Sequence, residues 1–425
     1  MKKASVLIQE IENQKYDKKL IDIYVDLNML SYQKERYIKA IKSFIELYGD
    51  QDISIFSAPG RSEICGNHTD HQHGRVLAAA INLDIIAIVT KDKDHIKVVS
   101  DNLDLEPIAV HNCQMVEEEK ATSESLIKGV VAKCQTLGYH TGGFKAYITS
   151  DVLIGSGLSS SAAFEVLIGT ILSGLYNEMK INPITIGQIG QYAENEYFGK
   201  PCGLMDQCAS AVGSLIYINF IDCKNPLVKK LDVDFSQYKH SLCIVDTKGS
   251  HADLTEEYAA IPAEMKKVAQ VFDQQFLGDV DEKTFYQNIS SVKETCDDRS
   301  ILRAIHFFEE NNRVATAVTA LQENRFQDFK NIVSQSGNSS FKYLQNVYTN
   351  TNVSNQSVAL TLALSEKILQ HHGVSRVHGG GFAGTIQAFV ADTYVETYKK
   401  EIEKITGEGT CHVLKVRNHG GIQVI

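Results

Sequence analysis

GSGLSSSAA, residues 155–163, decides how this chain is read. It follows GGFKAYITSDVL (142–153), whose side chains alternate like those of a half-buried strand. It runs into AAFEVLIGTILSGLY (162–176), an apolar stretch long enough for a buried helix. Strand, tight loop and helix in that order suit an anion cradle. Gly155 and Gly157 let the backbone approach an anion with no Cβ in the way. Ser156, Leu158, Ser159, Ser160 and Ser161 carry hydroxyl and amide donors to the start of the helix, where free N–H groups and the dipole favour negative charge. The loop lacks the lysine of a Walker A sequence, and no glycine stands two residues after any of its serines. It is therefore neither a Walker A loop nor a nucleophile elbow.

A second glycine-rich stretch, GGGFAGT (379–385), follows the strand-like GVSRV. Alone it reads as a tight turn; with the first loop it suggests two backbone segments closing on one ligand. Between and around them, helices and strands intermix. Residues 1–50 show helical spacing in LIDIYVDLNML (20–30) and YIKAIKSFIELYG (37–49). VLAAAINLDIIAIVTKDKDHIKVVS (76–100) reads as two strands broken at KDKD. From about 251 to 335 the pattern turns helical, and CHVLKV (411–416) is a late strand.

The composition excludes several classes of function. A net charge of −10 in 425 residues argues against a nucleic-acid-binding face, which needs basic charge. No apolar run reaches the roughly 18–20 residues of a membrane span, and the N-terminus makes a poor signal peptide. The nine cysteines are odd in number and without a CxxC pair, which fits reduced thiols in a cytoplasmic protein. GNHTDHQHG (66–74) crowds His68, His71 and His73 around Asp70, a donor set that by itself suggests a metal.

Its neighbours change that reading. APGRSEICGNHTDHQHGRVLAAAI (58–81) resembles the galactokinase signature, APGRVNLIGEHTDY followed by GxVLPxAI. LIGSGLSSSAA resembles the PxGxGLSSSAA motif of the wider GHMP superfamily of small-molecule kinases, and GGGFAG resembles its GGGFGG. AENEYFGKPCGLMDQ (193–207), HADLTEEY (251–258) and RAIHFFEENNR (303–313) are similar to three further galactokinase motifs, in the family's order. The resemblance runs from about residue 40 to the C-terminus. It implies a two-domain α+β fold with the active site in the interdomain cleft. The expected division is a helical extension at 1–35, an N-terminal kinase domain at 36–220 and a C-terminal one at 221–425.

The resemblance further implies an ATP- and Mg2+-dependent kinase acting on the anomeric hydroxyl of galactose. Asp206 would take or orient the hydroxyl proton and Arg61 would keep that carboxylate ionised. Ser161 and Glu194 would hold magnesium, and residues 155–161 the phosphates. Asn67, His68, Asp70, Gly203 and Tyr258 would meet the sugar, which displaces the metal reading of the histidines. His306 and Arg313 match the family pattern and are assigned to helix packing. The first motif departs in several letters: Glu63 stands for its asparagine, His71 for its tyrosine, Ala78 for its proline, and Asn67 for its glutamate, which contacts the far end of the sugar. That departure raises L-arabinose or N-acetylgalactosamine as alternative substrates. A sensor that binds ATP and sugar without turnover is the alternative outside catalysis. Partners are thus the sugar and ATP, with no nucleic acid and no membrane; nothing in the sequence sets the oligomeric state.

Overall fold

The structure, a computed structural model, describes residues 1–100, 103–152, 157–223, 225–249 and 254–425. Two long antiparallel strands, Asp52–Cys65 and Arg75–Asp92, form the middle of a ten-stranded sheet. The second of them serves two partners. Residues 75–79 pair with Leu215–Asn219, and residues 85–92 pair with Gly143–Ser150. His95–Ser100 then joins Gly143–Ser150 in parallel, after a bend inside the KDKD break. Leu227–Lys230 extends the same sheet beyond Leu215–Asn219.

Residues 85–89 are unbroken apolar sequence because both faces of this strand are covered. Ile86 and Ile88 share a buried cluster with Tyr37, Ile41 and Phe44 of the helix Leu30–Tyr48. Ile85, Ala87 and Val89 belong to the opposite cluster, with the helices Ser123–Thr136 and Ser160–Tyr176. The N-terminal helices Ala4–Glu12, Asp17–Tyr24 and Leu30–Tyr48 are thus the cover of one sheet face. The helical spacing read through residues 20–30 is interrupted. Val25 takes a φ of 56° and caps the second helix at Tyr24. Both chain ends return to the strand Asp52–Cys65: Lys2 pairs with Ile53 and Gln423 with Phe56. The fully buried Asp84 ties these layers, accepting from Arg36 (2.6 Å), Arg417 (2.9 Å), Tyr24 (2.9 Å) and Ser57. Burial pushes its carboxyl up, and the two guanidiniums outweigh burial and hold it below the ordinary range.

A four-stranded antiparallel sheet forms the second layer, in the order Gly373–Val377, Thr385–Ala391, His240–Asp246, Cys411–Leu414. The triple glycine is the connection between its first two strands. The helices Thr255–Gln270, Asp298–Gln322 and Phe326–Ser339 fill out this part of the chain. The fold is mixed α+β, as the motifs imply, and its strands form two sheets. Among the described residues no helix is long and apolar enough to cross a membrane.

Candidate active site

The strand Asp52–Cys65 shifts register between Pro59 and Arg61, and such bulges re-aim the side chain that follows. Arg61 leaves the sheet there and meets Asp206, in the first turn of the helix Met205–Val212. Its Nε donates to Asp206 Oδ1 at 2.6 Å and its Nη2 to Oδ2, a two-pronged pair that fixes the plane of the carboxylate. Nη1 donates to the Gly157 carbonyl, and the Leu158 carbonyl accepts from the Arg61 backbone at 3.2 Å. Ser159 Oγ also donates to Asp206 Oδ2, at 2.7 Å. Burial would raise the Asp206 carboxyl, but Arg61 first and Ser159 after it hold it below the ordinary value. It is an anion at neutral pH.

Ser160 opens the helix Ser160–Tyr176, behind Ser159 at a φ of 57°. Gly155 and Ser156 lie outside the described residues. Gly157, at φ 73°, is backed by His378 and Thr385 of the second sheet. Ser161 Oγ donates to Glu194 Oε1 at 3.0 Å, and Glu194 is 2% exposed. Two hard oxygens at that separation match neighbouring ligands of an octahedral magnesium, which keeps its oxygens about 3 Å apart. The donor set fits the ion. Gln207 Nε2 bridges Glu194 Oε2 (2.8 Å) and Glu165 Oε2 (3.0 Å). Burial keeps the Glu165 carboxyl well above its ordinary value. Beside Ser160 and Ser161 opens a cavity of about 520 Å3 walled by Val98, Leu126, Phe164 and Phe198.

On the other side of Asp206 lies the loop that carries the histidines. Asp70 is partly buried against Gly203, where an added Cβ would stand 2.5 Å from its Oδ2. Burial first, and the charge of Asp206 in addition, push the Asp70 carboxyl to about 6. His68 Nε2 faces the Gly380 carbonyl at 3.1 Å, so that nitrogen carries the hydrogen. Its Nδ1 then accepts from His71 Nε2 at 3.3 Å, and His71 Nδ1 accepts from Gln72 Nε2 at 3.3 Å. Burial lowers both imidazoles, His71 to about 3, so the relay is neutral. His73 turns away to Asp279 (3.2 Å) and Phe276. Among the described residues no three His, Cys, Asp or Glu side chains gather for a metal. Tyr258, half-buried, donates to the Gly381 carbonyl at 2.8 Å.

Asn67 departs from expectation. It is 1% exposed, and every donor and acceptor of its amide is taken by protein. Nδ2 donates to Gly379 O (2.7 Å) and towards Glu63; Oδ1 accepts from Asn346 (2.8 Å) and Ser340 (3.3 Å). Its side chain has no group left for a ligand, which corrects the reading of Asn67 as a sugar contact.

Several residues that support the site were given no part in it by the sequence: Glu310, Gln207, His378 and Asn346 were not singled out, and His306 and Arg313 were assigned to helix packing. Glu310 accepts from the Gly66 backbone (2.9 Å), Ser336 (2.6 Å) and Arg313 (2.7 Å), and His306 bridges Ser339 to the Asn67 carbonyl. The helix Asp298–Gln322 therefore carries the loop from beneath. Glu310 and Gln207 stood inside quoted motifs, and their carboxylate and amide were the available signal. His378 directly precedes the triple glycine. Asn346 lies in no motif.

An arginine-held aspartate, a serine loop opening a helix and a buried acid–hydroxyl pair are the parts expected of a phosphoryl-transfer site of the small-molecule kinase class. The comparisons narrow the class. Residues 42–91 match the galactokinase galactose-binding signature and residues 125–214 the N-terminal domain of GHMP kinases. A galactokinase of Actinobacillus pleuropneumoniae serotype 5b is 30% identical over 377 residues, which cover 87% of this chain and 94% of that protein. One of Clostridium tetani is 27% identical over 363 residues, 85% of this chain and 90% of that protein. Lactococcus lactis galactokinase, solved in complex with galactose, superimposes with a TM-score of 0.75 at 24% identity, over 90% of this chain and 98% of that one. A mevalonate kinase shares the fold at a TM-score of 0.60 and 17% identity, over 86% of this chain and 99% of that one. The chain belongs to the galactokinase family.

Proposed function

We propose that this protein transfers the γ-phosphoryl group of ATP to the anomeric hydroxyl of galactose, giving galactose 1-phosphate and ADP. The observation that carries the reading is the Arg61–Asp206 pair, set between the serine loop and the sugar loop. Asp206 accepts the hydrogen of the attacking hydroxyl. A weak base suffices, because phosphoryl transfer is loose and the proton moves late. Arg61 cannot give up its own proton, so it holds the carboxylate charged and aimed. The serine loop receives the phosphates at the helix start, and the neighbouring apolar cavity has the size and lining for the nucleoside.

Ser161 and Glu194 are the residues to hold magnesium, which when bound with the nucleotide neutralises phosphate charge. Asp70, ionised, accepts from sugar hydroxyls, and the bare backbone at Gly203 leaves that carboxylate open to them. His68, spent on Gly380 O and His71, holds the loop in place, and Tyr258 offers a lone pair of its hydroxyl at the sugar end. We assign residues 36–220 in the main to the lobe of the ten-stranded sheet and residues 221–425 to the other, except that Leu227–Lys230 and Ile422–Gln423 pair in the first sheet; residues 1–35, with the rest of the helix Leu30–Tyr48, cover that sheet.

Purified protein given ATP, magnesium and in turn galactose, N-acetylgalactosamine, L-arabinose and glucose tests this reading by ADP release. Galactose should be turned over best, with product phosphorylated at C1. Faster turnover of L-arabinose, or binding of galactose with no ADP above background, would overturn it.

A further inference from the structure

Three consecutive carbonyls of the glycine loop are each held by a side chain from outside it. Asn67 Nδ2 donates to Gly379 O at 2.7 Å. His68 Nε2 and Asn346 Nδ2 donate to Gly380 O at 3.1 Å each. Tyr258 Oη donates to Gly381 O at 2.8 Å. The orientation of the Asn67 amide is forced. Its nitrogen faces the Gly379 carbonyl and the two Glu63 oxygens (3.3 Å each), while its oxygen faces the donors of Asn346 and Ser340. Turned over, it would set oxygen against oxygen on one side and N–H against N–H on the other.

A carboxylate at position 67 has no hydrogen to give. The glutamate of the galactokinase motif, placed here, would leave Gly379 O without this donor and would stand beside the Glu63 carboxylate. In this chain the acid and the amide of the motif are exchanged as a pair, and the two exchanged residues touch. Glu63 keeps a counter-ion of its own, the fully buried Arg376, at 3.1 Å. That ion pair frees Asn67 to donate outward.

We propose that Asn67 is a positioning residue that latches the glycine loop 379–381 to the sugar loop 66–70, and that the exchange of acid and amide between positions 63 and 67 provides the latch. The role of the latch in turnover rests on the function proposed above; the latch itself does not. Asn67→Asp keeps the size of the side chain, removes the donor and sets a second carboxylate beside Glu63. Adding Glu63→Gln removes that repulsion but does not restore the donor to Gly379 O. Glu63→Gln alone keeps the latch and serves as the control.

Hydrogen exchange of the peptide spanning 378–384 should quicken about fivefold or more in Asn67→Asp and in the double variant, and stay slow in Glu63→Gln. The kcat with galactose should fall about tenfold or more in the same two proteins. Unchanged loop exchange in the double variant, or equal quickening in Glu63→Gln alone, would overturn the proposal. If Asn67→Asp fails to fold, the double variant carries the comparison. An unaltered protein inactive on galactose would defeat the functional reading and leave the exchange comparison intact.

Discussion

Acidification should titrate the sugar loop before it reaches the Asp206 carboxylate. Asp70 stands at about 6, raised by burial and then by the charge of Asp206, whereas Asp206 is held below its ordinary value by Arg61. As an acceptor for sugar hydroxyls Asp70 must be ionised. At about pH 7 roughly nine-tenths of it is ionised, and at about pH 5 roughly one-eleventh. The kcat/KM for galactose should therefore drop about tenfold between those values. The stability effect has the opposite sense. A carboxyl raised above its unfolded value binds its proton more tightly when folded, so protonation favours the fold. That contribution is full below the ordinary carboxylate range and is lost as pH rises through about 6. Asp70→Asn should accordingly stabilise the protein by up to about 2 kcal/mol near pH 8 while impairing turnover. Initial rates at subsaturating galactose across this pH range, with melting temperatures near pH 8, are the assay. A flat profile down to pH 5, an acidic limb that survives in Asp70→Asn, or a lower melting temperature for that variant would refute the reasoning.

Other substitutions separate the parts of the site. Glu194→Gln removes the only charge of the Ser161–Glu194 pair, so the magnesium concentration for half-maximal rate should rise about tenfold or more; an unchanged magnesium titration would remove Glu194 from the metal site. Gly203→Ala drives a methyl group against the Asp70 carboxylate, so KM for galactose should rise while KM for ATP holds. Asp84→Asn leaves two buried guanidiniums without their shared anion and should cost about 3–5 kcal/mol in urea unfolding. Among the described residues its side chain bonds only to Arg36, Arg417, Tyr24 and Ser57, none of them given a part in the reaction, so the rate per folded molecule should be unchanged.

The chain declared its chemistry more openly than its supports. The serine loop, Arg61, Glu194 and Asp206 stand in short contiguous motifs, because each owes its place to the backbone shape of its own loop or helix start. The α+β class was legible from the same motifs, not from strand counting; the division of the strands between two sheets was not. Asn67 was misread because its surroundings come from far along the chain: Asn346, Ser340 and Gly379 are each more than 270 residues away. A local motif cannot reveal what saturates an amide from that distance. The N-terminal helices were equally mute, since their purpose is to bury Ile53, Ile55, Ile86 and Ile88 of strands that follow them. Val25 broke a helical pattern that side-chain spacing alone carries straight through.

The central claim is that the carboxylate clamped by Arg61 receives the sugar hydroxyl. Asp206→Asn tests it most directly, because it keeps the shape of the side chain and removes its charge. Measured by ADP release at saturating galactose and ATP, with nucleotide binding followed separately, kcat should fall by at least about 100-fold while ATP still binds. A variant that turns over within a few-fold of the unaltered protein would contradict the account.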